Sequence, residues 1–114
     1  MVDDCLFCRI VAGAVPAERV YEDEALIAIR DIDPQAPTHL LLIPRRHIAS
    51  LADLDPGDRD LAGALLLAAQ TLAQRLSLRR GFRVVANSGP EGGQAVPHVH
   101  LHLLGGRPLG WPPG

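Results

Sequence analysis

The architecture of this chain turns on His98-Val99-His100-Leu101-His102-Leu103-Leu104. Apolar and imidazole side chains alternate along it with a period of two, the period of a strand with one buried face. Val99, Leu101 and Leu103 therefore enter a core, and three imidazoles line the opposite side. Packing explains the valine and the leucines, but not three of the chain's five histidines standing at alternate positions. The residues alone admit three readings. The face is merely solvated; or two imidazoles at i and i+2 share a zinc with a third ligand and an open position; or the middle imidazole attacks phosphorus while its neighbours fix its orientation. The glycine-rich loop just before the run, residues 88–95, lets backbone N–H groups approach an anion closely. A hairpin turn uses the same glycines.

Working outward, residues 82–87 read as a second strand on the other side of that loop. Before it, Leu61, Leu65, Ala68, Ala69, Leu72 and Leu76 keep a spacing of three and four, which predicts a long helix that begins at Asp55-Pro56 and closes at Arg79-Arg80-Gly81. Residues 39–43 read as a strand entered from the proline-containing loop at 31–38. Residues 19–22 and 25–31 read as a hairpin around Asp23-Glu24. Residues 5–12 read as a short helix stopped by Gly13, and Pro16 prevents its continuation. Five strands and two helices make an α+β fold, and the expectation is a single domain over residues 1–114.

Composition narrows the function. The chain of 114 residues is 47% hydrophobic, enough for one core without a disulfide framework. Its formal charge of −2 lacks the basic footprint of a phosphate-backbone binder, so nucleic acid is not an expected partner. All eleven basic residues are Arg, which excludes Schiff-base lysine chemistry. No apolar run reaches the roughly 18 residues of a membrane span, and Met1-Val2-Asp3-Asp4 is acidic where a signal peptide is basic. The expected location is cytoplasmic, with no membrane contact. There, Cys5 and Cys8, three positions apart, read as a metal pair or as two small buried residues; the βαβ context of a redox pair is missing.

The stretches Cys5-Leu-Phe-Cys8-Arg-Ile, Asp31-Ile-Asp-Pro-Gln-Ala-Pro-Thr-His39, Leu42-Ile-Pro-Arg-Arg-His47, Gly92-Gly-Gln94, His98-Val-His-Leu-His102 and the tail Leu104-Gly-Gly-Arg and Trp111-Pro-Pro-Gly114 resemble the histidine triad (HIT) family. Within it they are most similar to the Hint branch of purine nucleoside phosphoramidases. The resemblance spans nearly the whole chain. It implies a homodimer in which two five-stranded antiparallel sheets join into one, with the long helix at the interface.

It also implies hydrolysis of adenosine 5′-phosphoramidates, with His100 as the nucleophile that forms a transient nucleotidyl-histidine before water releases AMP. A backbone carbonyl accepting from the other ring nitrogen would fix the His100 tautomer. His102 and His39 would contact the phosphate or the leaving group, with Asn87 beside them. Asp31 would accept from the ribose hydroxyls and Ile32 would pack on the purine. Gly93, Gln94 and Trp111 complete the implied substrate site, Trp111 by way of the partner protomer. Cys5, Cys8, His47 and His98 would hold a structural zinc, closed to substrate and not needed for the chemistry. A low-turnover nucleotide-binding scaffold and a dinucleoside polyphosphate hydrolase are the alternatives.

Two positions depart from the family pattern. Ala95 stands where many Hint proteins have Ser, and Pro97 where an aromatic is common. One missing transition-state hydrogen bond costs on the order of 2–4 kcal/mol unless another group, such as Gln94 or a water, replaces it.

Overall fold

Five antiparallel strands form one sheet in the order β1-β2-β3-β5-β4, where β1 is Arg19–Glu22, β2 Leu26–Arg30, β3 Thr38–Pro44, β4 Phe82–Val85 and β5 Leu101–Gly105. The computed structural model describes residues 4–114; the first three residues of the acidic N-terminus lie outside the described residues. A short helix α1 (Leu6–Val11) precedes the sheet, and a long helix α2 (Arg59–Arg75) joins β3 to β4.

Alternation along the strands divides the interior in two. Leu40, Leu42, Val99, Leu101 and Leu103 pack with Leu26 and Ala28 beneath Leu65, Ala68, Ala69 and Leu72 of α2. On the other face, Leu41, Ile43, Ile27 and Ile29 pack with Cys5, Phe7 and Ile10 of the α1 region. The sheet is therefore covered on both sides, and the imidazole-bearing face lies on the α1 side. Phe7 meets His98 and His100 edge-on, with ring centroids 5.9 and 5.0 Å apart.

Helix boundaries follow local chemistry. Cys5 caps α1 with its sulfur, which accepts from the Cys8 N–H. Before α2, Asp55 accepts from Gly57 N–H and Asp58 accepts from Asp55 N–H, a reciprocal cap around a 3₁₀ turn at Pro56–Asp58. Asp58 also pairs with Arg46. The helix ends earlier than its sequence suggests. Ser77 adopts a left-handed φ of 58°, and the Leu78 N–H returns to the Ala73 carbonyl, four residues before Gly81. The reason is packing: the turn lays Leu78 against Gly105, where a β-carbon would approach the leucine methyls to 2.8 Å.

The histidine-bearing strand also starts later than its alternation suggests. Ladder pairing begins at Leu101, opposite Leu42, and His98–Val99–His100 runs on beyond it. Pro44 near this end of β3 has no N–H with which to extend the ladder. Its carbonyl instead accepts from the His98 ring, while Val99 N–H donates to Ile48 O. The alternation nonetheless persists, because Val99 is buried under α2 and His98 and His100 face Phe7. β4 is likewise shorter than 82–87, ending at Val85 opposite His102.

Candidate active site and metal centre

Four ligand atoms converge where α1, the segment after β3 and the approach to β5 meet. Cys5 Sγ lies 3.2 Å from His98 Nδ1, Cys8 Sγ 3.3 Å from His47 Nδ1 and 3.6 Å from His98 Nδ1, and the two Nδ1 atoms are 3.1 Å apart. A tetrahedral zinc with bonds of about 2.0–2.3 Å separates its ligands by about 3.3–3.8 Å, close to these four separations, and all the ligand atoms lie within 4.8 Å of one another. The fully buried His98 donates Nε2–H to Pro44 O at 2.9 Å, which leaves its Nδ1 lone pair for the metal. Burial, the dominant cause, lowers its pKa and keeps the ring in the unprotonated form a ligand requires. Burial, and then the adjacent Cys5, push the Cys8 thiol up to about 11, a cost of the thiolate that a bound dication offsets. The set is a closed Cys₂His₂ structural zinc site.

The remaining histidines form a second group. His100 is buried, and its Nδ1–H donates to the His98 carbonyl at 2.7 Å, so the lone pair of the neutral ring sits on Nε2. The backbone of a metal ligand thus orients the candidate nucleophile. The His102 ring meets the His100 ring edge-on, with centroids 5.1 Å apart. Its Nδ1 lies 2.9 Å from His39 Nε2 across the sheet.

The tautomers along this chain are fixed from one end. Gln35 N–H donates to His39 Nδ1 at 3.0 Å, so neutral His39 carries its proton on Nε2 and donates to His102 Nδ1. His102 then carries its own proton on Nε2. Burial, followed by the neighbouring His100 and His39, lowers the His102 pKa to about 4, against a smaller opposing pull from Asp31. His102 is a neutral donor at pH 7. Asp31 Oδ2 lies 3.4 Å from His39 Nε2. The ligand atoms of Asp31, His39 and His102 lie within 4.8 Å of one another. The one Nε2–H of neutral His39 goes to His102 Nδ1, so Asp31 stands beside the imidazole pair as a nearby charge.

The structure separates the other sequence-derived site residues. Asp31 lies beside the His39–His102 pair, and its Oδ1 accepts from Asp33 N–H. Ile32 is fully exposed and Trp111 is 84% exposed. Asn87 is half-buried, two residues past the end of β4. Gly93 and Gln94 serve the loop. Gly93 N–H donates to Pro90 O, Gln94 N–H to Gly89 O, and Gly89 N–H to Gln94 Oε1. The Gln94 side-chain amide donates to Ala49 O and Val96 O. These N–H groups are not available as an anion cradle, and Gln94 supplies no replacement for the hydroxyl absent at Ala95. The loop is a braced turn: a β-carbon at Gly92 would meet Ser88 O at 2.3 Å. Two anchors were not anticipated from sequence, the Gln35 N–H on His39 and the Arg107 guanidinium on Gln35 O. Both contacts join residues by backbone atoms, which carry no side-chain signature.

A zinc-pinned strand presenting an oriented imidazole beside a hydrogen-bonded imidazole pair defines a class of compact α+β proteins built around a histidine array. The HIT domain model matches residues 12–109, and the chain belongs to the HIT domain family. It is similar to a 14 kDa zinc-binding protein of Zea mays, 46% identical over 111 residues, covering 96% of this chain and 87% of that one. Among solved structures, a HIT family hydrolase from Legionella pneumophila superposes with a TM-score of 0.96 at 52% identity, covering 97% of this chain and all of that one. A zinc-bound histidine triad family protein from Mycobacterium smegmatis gives 0.82 at 34% identity, covering 94% and 78%.

Proposed function

We propose that the protein hydrolyses adenosine 5′-phosphoramidates, or related AMP conjugates, through a nucleotidyl-histidine on His100. The observation that carries this reading is the 2.7 Å hydrogen bond from His100 Nδ1 to His98 O, which puts the lone pair of the neutral ring on Nε2 and holds it in one orientation. Nε2 attacks the α-phosphorus, the bond from phosphorus to the leaving nitrogen breaks, and that nitrogen takes a proton from solvent. Water then attacks the same phosphorus, the bond to Nε2 breaks, and one water proton returns to solvent as AMP departs. His102 Nε2–H donates to the phosphoryl group as charge builds on it, a fixed dipole inside a largely buried site. Asp31 receives the ribose hydroxyls and the exposed Ile32 covers the purine; Asn87 lies at the phosphate end.

Bound zinc supplies a rigid tie among α1, His47 and His98. A four-ligand ion has no open position for water, which suits a structural role. A homodimer fits the exposed Leu66 and Leu67 of α2 and Phe82 on the edge strand β4, and would let Trp111 reach the partner's site. A reducing, cytoplasmic setting fits two cysteines retained as thiolate ligands.

Turnover of a fluorogenic adenosine phosphoramidate, measured beside His100→Ala, tests the reading. We expect loss on the order of 10³-fold or more and an AMP adduct trapped on the His100 peptide of the native chain. Equal rates overturn it. A nucleotide-binding scaffold with little turnover is the second reading, favoured by Ala95 and by the engaged Gln94 amide. AMP binding without turnover would select it.

A further inference from the structure

The geometry points to Arg107 as a positioning residue that acts on His102 through Gln35 and His39, an inference that rests on the phosphoramidase reading. The loop between Asp31 and Thr38 has little regular structure, yet it supplies the N–H that His39 Nδ1 accepts and that sets the His39 tautomer. Internal bonds brace part of it: Asp33 N–H donates to Asp31 Oδ1, and the Gln35 side-chain amide donates to Asp33 O. Neither bond holds the Gln35 backbone against the sheet.

That anchor comes from the far end of the chain. Arg107 Nε and Nη2 both donate to Gln35 O, at 3.2 and 2.8 Å, and Nη1 closes back on Pro108 O. Gln35 is therefore gripped on both sides: its carbonyl by Arg107, its N–H by His39. A two-pronged guanidinium fixes direction as well as distance, which a lysine ammonium cannot do. The grip depends on close approach. Gly106 has a left-handed φ of 93°, and a β-carbon there would stand 2.9 Å from Pro37 Cβ. The glycine brings the strand exit directly onto the loop and delivers Arg107 to its carbonyl.

The consequence runs along one hydrogen-bond chain. If the Gln35 N–H drifts from His39 Nδ1, His39 can place its proton on either nitrogen. In the Nδ1–H form its Nε2 no longer donates to His102, and His102 is no longer held with Nε2–H toward the phosphoryl group. Arg107 donates to Gln35 O and Pro108 O, while Asp31 keeps its own ties, its N–H to His39 O and its Oδ1 from Asp33 N–H, so removal of Arg107 acts on the transition-state donor and spares the ribose contact.

The test combines ¹⁵N NMR of the imidazoles with steady-state kinetics on full-length, zinc-loaded protein, using adenosine phosphoramidate as substrate. For Arg107→Ala we expect His39 to change from a single Nε2–H tautomer to a mixture, and kcat to fall on the order of 10-fold or more with KM within about threefold. Gly106→Ala, which separates the strand exit from Pro37, should reproduce both effects. Arg107→Lys should recover only part of kcat. Arg79→Ala removes the same charge from the neighbouring surface and should leave tautomer and rate as in the native chain. An unchanged His39 tautomer in Arg107→Ala overturns the proposal. So does a rise in KM with kcat retained. Absence of turnover by the native chain would instead overturn the phosphoramidase reading, while the tautomer measurement would still judge the contact.

Discussion

His102 is where burial and function meet most directly. Its low pKa of about 4 follows first from burial and then from two neighbouring imidazoles, so the ring stays neutral well below physiological pH. The unfolded chain binds a proton at this ring near the ordinary histidine value of about 6.5, and the folded chain does not. Its contribution to stability is therefore complete above about pH 6.5 and is lost as pH falls toward 4. His98, with a pKa lowered chiefly by burial, tilts the same way. Melting temperature followed from pH 8 to pH 4 should be flat at first and then decline. His102→Gln should make that decline shallower, His98 retaining its share; an undiminished slope would show that His102 does not titrate below its usual range in the fold.

At the scale of elements, α2 is the part most plainly written in the sequence. Leu65, Ala68, Ala69 and Leu72 are all buried at their expected three-and-four spacing. Leu72, 3% exposed beneath the sheet, should cost about 2–5 kcal/mol when cut to Ala, read from the urea midpoint of the zinc-loaded protein. A change within about 0.5 kcal/mol would mean that the site tolerates collapse. The imidazole alternation before and within β5 was legible for the same reason, since a period of two needs only neighbours along the chain. What was not legible depends on distant partners. Nothing near Ser77 announces a helix end; Leu78 finding Gly105 sets it there. The ladder starts at Leu101 because of what β3 offers, not because of any residue in the histidine run. The glycine loop left two readings open for a physically simple reason. Its composition suits an anion cradle and a braced turn equally, and only the destinations of the Gly89, Gly93 and Gln94 N–H groups distinguish them.

Across the whole molecule, the zinc site joins three stretches that the chain separates widely, α1 at Cys5 and Cys8, the segment after β3 at His47, and the approach to β5 at His98. Metal that binds only the folded form, where these stretches meet, adds stability by mass action. At a free zinc concentration about 1,000-fold above Kd, that linkage amounts to about 4 kcal/mol. Chelation at neutral pH should lower the melting temperature on the order of 15 °C or more for a domain of this size. Catalysis should follow by a structural route, because the His98 carbonyl that orients His100 belongs to one of the ligands. Well below the melting temperature of the metal-free protein, a reduced but measurable rate should persist. One equivalent of zinc per chain should restore stability and rate in parallel, and further zinc should add nothing. Should the rate vanish on chelation while the melting curve stays in place, the ion would belong to the chemistry, and the division of histidines between a structural pair and a catalytic trio would have to be redrawn.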